Sequence, residues 1–593
     1  MLERILMCAI AGIYGESDIS KINTMLYLMQ KRGPDGMYSF CESNFVAGMN
    51  RLSINDIGNG RQPFYNEDLS IVVLFNGEIY NYRSLKRELE QKGYVFRGHC
   101  DGEVLPFLYE QYGLESFSYL DGMFGIMVYD KRKEEIILAR DGMGEKPLYY
   151  VKKDKQFAFC TLIQPLKQYF GNFSLNSRAL WDFFTFGFIP EFQSIYEGVN
   201  AVKKGCCLIF NCKNGECREY NFWEKSLQNF SISTKEMMQD EDLVHFTREI
   251  VSKSIRDRLL SDVPIGAFLS GGLDSSIVTT IAQKSLGKLK TFNIAFLDDY
   301  DPYCGFANES EFADSIAKNI HSEHFTIAVD ARDYQKMLVE FIKDIDQPFG
   351  AISGIGIKII AKKARELGIK VLLSGDGADE NFGGYSWYPK LRFNNTRFIT
   401  EQKPKGWHYY AFESEKQDFL NREFFGSLDS RVYFPKTNDN PISFIEFDRE
   451  FYLPNEMMVK LDRMCMSESI EGRAAFVSPQ IVSFVKKINY EKLLQNGEKW
   501  LLKEAFKESL PQTILQRQKH GFNPPVDYWM KNEWLNLLRD ILSRDSSLYQ
   551  AGIINADSYD KFMRIFYSND RRVGNIAFYL LVLGMWLDNE NYK

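Results

Sequence analysis

Short apolar runs broken by turn signals fill the first 220 residues. Ile71-Val-Val-Leu-Phe75, Phe124-Gly-Ile-Met-Val128 and Glu135-Ile-Ile-Leu-Ala139 have the length and composition of buried strands. Gly33-Pro34, Asn76-Gly77 and Asp141-Gly142 separate them as turn signals. The spacing from Tyr82 to Lys92 predicts a helix. Gly205 to Phe210, followed by Lys213-Asn-Gly-Glu216, predicts a hairpin. This half therefore reads as α+β with mostly antiparallel sheet. The polar stretch Ser231 to Glu241 is poor in strand signals and is placed as the domain junction.

From about Leu243 the pattern becomes strand, tight loop, helix, repeated. Ile265 to Leu269 is a strand that runs through Ser270-Gly-Gly-Leu-Asp-Ser-Ser276 into the helical Ile277 to Lys284. Thr291 to Phe296 is the next strand, with a helix at Glu311 to Asn319. A helix at Ile357 to Leu367 then precedes a strand at Lys370 to Leu373. Alternation of this kind predicts a doubly wound parallel sheet with ligands at the carboxyl ends of its strands. The aromatic-rich remainder reads as helical wrapping. No internal repeat or low-complexity segment interrupts it.

The 593 residues carry 72 Lys plus Arg against 79 Asp plus Glu, a net charge of −7. That balance argues against a general grip on nucleic acid or anionic membrane. The longest strongly apolar stretch, Ile576 to Leu587, is too short for a span of about 20 residues and reads as a buried helix. Ten cysteines, two of them adjacent, do not form a disulfide framework, so a cytoplasmic protein with reduced thiols is expected. Cys206, Cys207, Cys212 and Cys217 lack the paired spacing of a zinc site and are assigned to β-structure.

Candidate chemistry lies at two places. In Ser270-Gly271-Gly272-Leu273-Asp274-Ser275-Ser276 the glycines let backbone N–H groups approach an anion at a helix N-terminus. Ser275 and Ser276 add donors, and Asp274 suits a hard cation such as Mg2+. The Walker pattern is absent. Near the start, Cys8 would combine thiol and base in one residue if its α-amine were free. Translation from Met7 with Met removal, or cleavage of a short leader, is therefore expected. Taken alone, Cys8 reads as an ordinary buried strand cysteine.

Wider motifs carry a resemblance. Ser374-Gly375-Asp376-Gly377-Ala378-Asp379-Glu380 with Phe382-Gly-Gly-Tyr385, Lys460-Leu-Asp-Arg463-Met-Cys-Met-Ser467, Trp500-Leu-Leu-Lys503 and Arg517-Gln-Lys519 join the loop at Ser270. Cys8, Arg32-Gly-Pro-Asp35, Arg51-Leu-Ser-Ile54, Asn76-Gly77-Glu78, Asp101-Gly-Glu103, Arg140-Asp141 and Gly144-x-Lys146-Pro-Leu-Tyr-Tyr150 precede it. Together they resemble the glutamine-hydrolysing asparagine synthetases, a class II glutamine amidotransferase fused to an N-type ATP pyrophosphatase.

The resemblance implies an Ntn-type αββα glutaminase domain at 8–225 and an ATP-dependent adenylating domain at 240–593. Cys8 would be the nucleophile, with Asn76 and Gly77 as oxyanion hole. Arg51, Leu52, Ser53, Ile54, Asn55, Glu78 and Asp101 would bind glutamine. Phe268, Leu269, Ser270, Gly271, Gly272, Asp274, Ser275, Ser276, Ile294, Ser374 and Gly375 would bind ATP, and Asp274 and Asp379 would hold Mg2+. Asp376 would lie by the adenylating carboxylate, and Lys519 would stabilise developing charge. Glutamine, ATP and aspartate are the expected substrates, with ammonia crossing between sites to an acyl-adenylate, and a homodimer stays open as the assembly.

The family's E-x-R-x-P-F-[LI]-D reads Glu471-Gly-Arg473-Ala-Ala475-Phe476-Val-Ser478 here. D-E-P-F reads Asp346-Gln347-Pro348-Phe349, S-x-I-P reads Ser353-Gly-Ile355-Gly356, and the S-E before the tunnel region reads Thr161-Leu162. These departures keep another carboxylate acceptor open, such as a sugar acid or a natural-product carboxylate, and so does a catalytically silent regulatory paralogue.

Overall fold

Alternation along single strands organises the N-terminal half. In Ala9–Tyr14, Ala9, Ala11 and Ile13 face the helices Ile19–Leu28 and Ile163–Phe170, while Ile10 faces the other way into a core shared with Leu74, Met127 and Leu138. Ile71–Ile79 repeats the device. Its Leu74 enters that shared core, and Val73 and Phe75 turn to the helices Tyr82–Gln91 and Val104–Tyr112. Side chains of period two thus build four layers, helix, sheet, sheet, helix. Both sheets have six strands and are antiparallel throughout. The computed structural model describes residues 8–593 except 34, 59, 172, 233–238, 298–299, 302–304, 307–309, 389–412, 436–441, 518–523, 568–571 and 591–593.

Asn76-Gly77 is not a turn. It lies inside the strand Ile71–Ile79, paired with Gly122–Asp130 (Gly77 opposite Phe124). The hairpin Cys206–Asn211 and Cys217–Asn221 forms as expected and turns at Gly215, φ +74°. Among the described residues no group of three or more His, Cys, Asp and Glu could hold a metal ion, so the cysteines near the hairpin form no such cluster.

The second half is built on five parallel strands. Their spatial order is Glu323–Val329, Lys290–Phe296, Ile265–Phe268, Val371–Ser374, Glu471–Ala474. The chain starts in the middle, winds one way, then crosses back, so the order reverses between Ile265–Phe268 and Val371–Ser374. In open α/β sheets that reversal opens a crevice at the carboxyl ends of the two strands, where the loops at Ser270 and Ser374 emerge. Val371 and Leu373 enter one core and Leu372 the other, so both faces are covered. The helix Arg572–Asn589 contains the apolar stretch and buries Ile576 to Leu583. No helix among the described residues is long and apolar enough to cross a membrane.

Candidate active sites

Cys8 immediately precedes Ala9–Tyr14, and the register of that strand with Phe45–Arg51 (Ala9 opposite Asn50) carries Cys8 to the end of the partner strand, opposite Arg51 and next to Leu52. The Leu52 N–H donates to Cys8 Sγ at 3.1 Å, and Sγ reaches the Leu52 carbonyl at 3.6 Å. Burial pushes the thiol up to about 12; the Leu52 N–H opposes that, and the Glu471 and Glu78 carboxylates add to it. A thiol in this setting needs a local base to become nucleophilic at neutral pH.

Around it, Arg51 donates to the carbonyls of Asn55 (3.1 Å), Asp56 (2.7 Å) and Ile57 (3.3 Å), folding that loop over its guanidinium. A guanidinium has five donors, so some remain for a carboxylate. The Ser53 N–H donates to Asp35 at 2.7 Å. Leu52 and Ile54 are buried in the core beneath the parallel sheet.

Asn76 and Glu78, two apart on one strand, share a face. Gly77 between them has φ +147°, and a Cβ there would lie 1.9 Å from the Met123 carbonyl, so only glycine fits. The Asn76 amide is buried with neither Nδ2 nor Oδ1 hydrogen-bonded among the described residues. A donor held dry and unspent in this way suits an oxyanion. Asn55 Nδ2 donates to Glu78. Burial, then the neighbouring Asp101, push the Glu78 carboxyl well above its usual range, with Arg473 opposing. Asp101 accepts from the Ile79 N–H at 2.7 Å, and burial lifts its carboxyl to about 6.

At the crevice, Ser270–Ser276 turns from strand into the helix Leu273–Leu286. Gly271 has φ +74°, and a Cβ on it would meet the Ala313 nitrogen at 2.6 Å. Ser275 and Ser276 hydroxyls donate to the Gly272 carbonyl at 3.2 and 2.7 Å, and Ser270 Oγ lies 3.1 Å from Ser275 Oγ. Arg517 donates to the Gly271 carbonyl at 2.9 Å. Leu269 and Ile294 are buried at the carboxyl ends of adjacent strands beside the half-buried Phe268. The second loop comes within contact of the first: a Cβ on Gly375 would stand 2.9 Å from Asp274 Cβ. Ser374 Oγ donates to Asp376 at 2.7 Å. Lys519 lies outside the described residues.

Asp274 and Asp379 both pair with Lys499, a cation that sequence reasoning missed. Lys499 Nζ is 2.5 Å from Asp274 and 2.6 Å from Asp379. Burial alone would lower its ammonium; the two carboxylates outweigh that and hold it above its usual range. Two convergent carboxylates already bridged by a positive charge have the hard-oxygen donor chemistry that Mg2+ takes. The only sequence signal for Lys499 is its place next to Trp500.

The two sites meet through the last strand. Arg473 on Glu471–Ala474 places Nη2 3.3 Å from Glu78 and bonds Glu471 and the carbonyls of Arg258 and Leu260. Nearby, Arg32 and Lys146 share Asp462 at 2.9 and 3.2 Å, all three buried. Asp346 accepts from the Ile163 and Gln164 N–H groups, capping a helix of the other half. Two departing positions have backbone tasks: the Ala475 N–H donates to the Ser374 carbonyl at 3.0 Å, and Ser478 N-caps the helix Pro479–Lys486.

A family model described as asparagine synthase matches residues 247–588, and one described as a glutamine amidotransferase domain matches residues 7–223. Asparagine synthetase [glutamine-hydrolyzing] 1 of Bacillus subtilis (strain 168) is 29% identical over 589 residues, covering 91% of this chain and 90% of the relative. A putative asparagine synthetase [glutamine-hydrolyzing] 2 of Methanocaldococcus jannaschii is 32% identical over 406 residues, 64% of this chain and 76% of the relative. Asparagine synthetase [glutamine-hydrolyzing] 3 of Arabidopsis thaliana is 29% identical, covering 90% and 81%.

Proposed function

The chain belongs to the asparagine synthase family, and we propose that it is a glutamine-hydrolysing, ATP-dependent amide synthetase whose acceptor is the side-chain carboxylate of L-aspartate. The observation that carries the two-site reading is the strand Glu471–Ala474. One of its side chains, Arg473, pairs with Glu78 beside Cys8, while its backbone pairs with Val371–Ser374, which leads into the loop of Asp376 and Asp379. A single strand separates the two chemistries, a short path for ammonia.

In the glutaminase domain, 8–225, Arg51 and Asp101 hold the α-carboxylate and α-ammonium of glutamine, and Glu78 supports the same substrate. Once removal of the residues before it has freed its α-amine, Cys8 passes its thiol proton to that amine and attacks the carboxamide carbon. The Asn76 amide and Gly77 N–H stabilise the oxyanion. Collapse of that intermediate expels ammonia and leaves a thioester, which water hydrolyses to glutamate.

In the synthetase domain, 240–593, the loop Ser270–Ser276 grips the pyrophosphate end of ATP, and Phe268, Leu269 and Ile294 wall the nucleoside. Ser374 and Gly375 contact the nucleotide from the second loop, beside Asp376. The acceptor carboxylate attacks the α-phosphorus and pyrophosphate leaves. Ammonia then displaces AMP from the acyl-adenylate to give the amide. Asp274 and Asp379 would hold Mg2+, which neutralises charge on the departing pyrophosphate. The backbone tasks of Ala475 and Ser478 remove two reasons for assigning a different acceptor.

The test uses oxygen-labelled aspartate with ammonia, Mg2+ and ATP. Label in AMP, with no ADP formed, supports the reading. A sugar acid or peptide carboxylate giving AMP where aspartate gives none would overturn the acceptor. Cys8→Ala should lose synthesis from glutamine and keep synthesis from ammonia; loss of both in a folded protein would overturn the division of labour.

A further inference from the structure

Lys499 is built into its position. It has φ +52°, a left-handed conformation that a non-glycine residue keeps only where its surroundings fix it. Its N–H reaches the Gly383 carbonyl at 3.4 Å, and it starts the helix Trp500–Phe506. The next glycine makes room for the pair: a Cβ on Gly384 would fall 2.0 Å from both Lys499 Cε and Asp379 Oδ1. The side chain is only 7% exposed, against 20% for each aspartate, so the ammonium is sealed between them rather than lying on the surface.

The two carboxylates are those assigned to the metal, and a role for Lys499 beside them rests on that assignment. Mg2+ sits about 2.0–2.1 Å from its oxygens. An ion held by the carboxylates of Asp274 and Asp379 would take nearly the place of Lys499 Nζ, which is 2.5 and 2.6 Å from them. The two cations exclude each other by contact and by charge. We infer that Lys499 is the counter-cation of the metal seat in the nucleotide-free enzyme: it keeps the two loops in register and competes with the divalent ion for Asp274 and Asp379. The seat is therefore poor for free metal, and the ion enters with the phosphates whose negative charge favours it over the lysine.

Mn2+ alone is the probe. Nucleotide-free full-length protein is titrated with Mn2+ and the unbound ion counted by electron paramagnetic resonance. Lys499→Met is expected to bind one Mn2+ at least tenfold more tightly than the unchanged protein and to gain more thermal stability from it. Lys499→Gln, whose amide still donates to the carboxylates, is the second variant in case the first does not fold, and the same gain is expected. Equal or weaker Mn2+ binding by the folded variants would overturn the inference, because a lysine that only braces the loops gives no gain. Mn2+ binding that survives Asp274→Asn with Asp379→Asn in the Lys499→Gln background would overturn the metal assignment itself.

Discussion

Arg473 and Glu78 face each other across the boundary between the two halves at 3.3 Å, with side chains 0% and 5% exposed. Removing one partner of a buried pair strands the other charge, at about 3–5 kcal/mol. Arg473→Met should therefore lower the denaturation midpoint sharply and raise the KM for glutamine, because Glu78 loses the charge that orients it. Adding Glu78→Gln to that variant should recover part of the stability but none of the glutamine affinity. A double mutant no more stable than Arg473→Met would mean that the Arg258 and Leu260 carbonyls, not Glu78, are what Arg473 supports.

Asp101 and Glu78 set the acid side of the pH dependence. Burial raises both carboxyls, Asp101 to about 6 from 3.8. A raised acid binds its proton more tightly when folded. Across the window between its unfolded and folded values stability therefore falls as pH rises, by on the order of 3 kcal/mol for Asp101. Activity moves the other way, since an α-ammonium needs the carboxylate. The kcat/KM for glutamine should drop about tenfold per pH unit below about 6, the value to which burial lifts the Asp101 carboxyl. Asp101→Asn should flatten the stability slope between pH 4 and 6. A glutamine kcat/KM unchanged down to pH 5 would remove Asp101 from the substrate site.

Much of this was legible because residue type and position agreed. Val371-Leu-Leu373 is a continuous apolar run, as a strand buried on both faces must be, and Gly-Gly beside Asp274 marks where a backbone has to bend toward an anion. The reading failed where tertiary contacts override local pattern. Glu323–Val329 alternates His324, Phe325, Thr326 and Ile327 because it is the sheet's edge. Glu471-Gly-Arg473 has the composition of a loop; it is a strand because its charges are paired with each other and with Glu78. Asn76-Gly77 carries the strongest of turn signals, yet it lies mid-strand, where the carbonyl of Met123 leaves no space for a Cβ. For Lys499 the place next to Trp500 is the sequence's single signal, and it does not say which surface-type lysine ends between two aspartates.

Asn76 offers a separation of stability from catalysis. Its amide is buried and, among the described residues, unsatisfied, a state that costs the folded protein about 1–3 kcal/mol and that the proposed oxyanion role would explain. Asn76→Ala should reduce the glutaminase kcat by about 100- to 1000-fold, as expected for one oxyanion donor, while stability changes by less than about 1 kcal/mol. Ammonia-dependent synthesis should be untouched. A large loss of stability with modest loss of rate would show that the amide is structural.

Ala475 stands where the family pattern has proline, and its N–H donates to the Ser374 carbonyl at 3.0 Å. The bond prolongs the pairing of Val371–Ser374 with Glu471–Ala474 by one residue at the mouth of the crevice. Proline lacks the donor, although the extended backbone of Ala474 before it would tolerate the ring. Ala475→Pro should therefore fold, lose about 1–3 kcal/mol as the Ser374 carbonyl is left unpaired, and leave the choice of acceptor as it was. Denaturation midpoints and AMP formation with a panel of carboxylic acids would measure both. If the substitution left stability unaltered and shifted the acceptor, Ala475 would belong to the acceptor pocket, and its difference from the family pattern would be one of specificity.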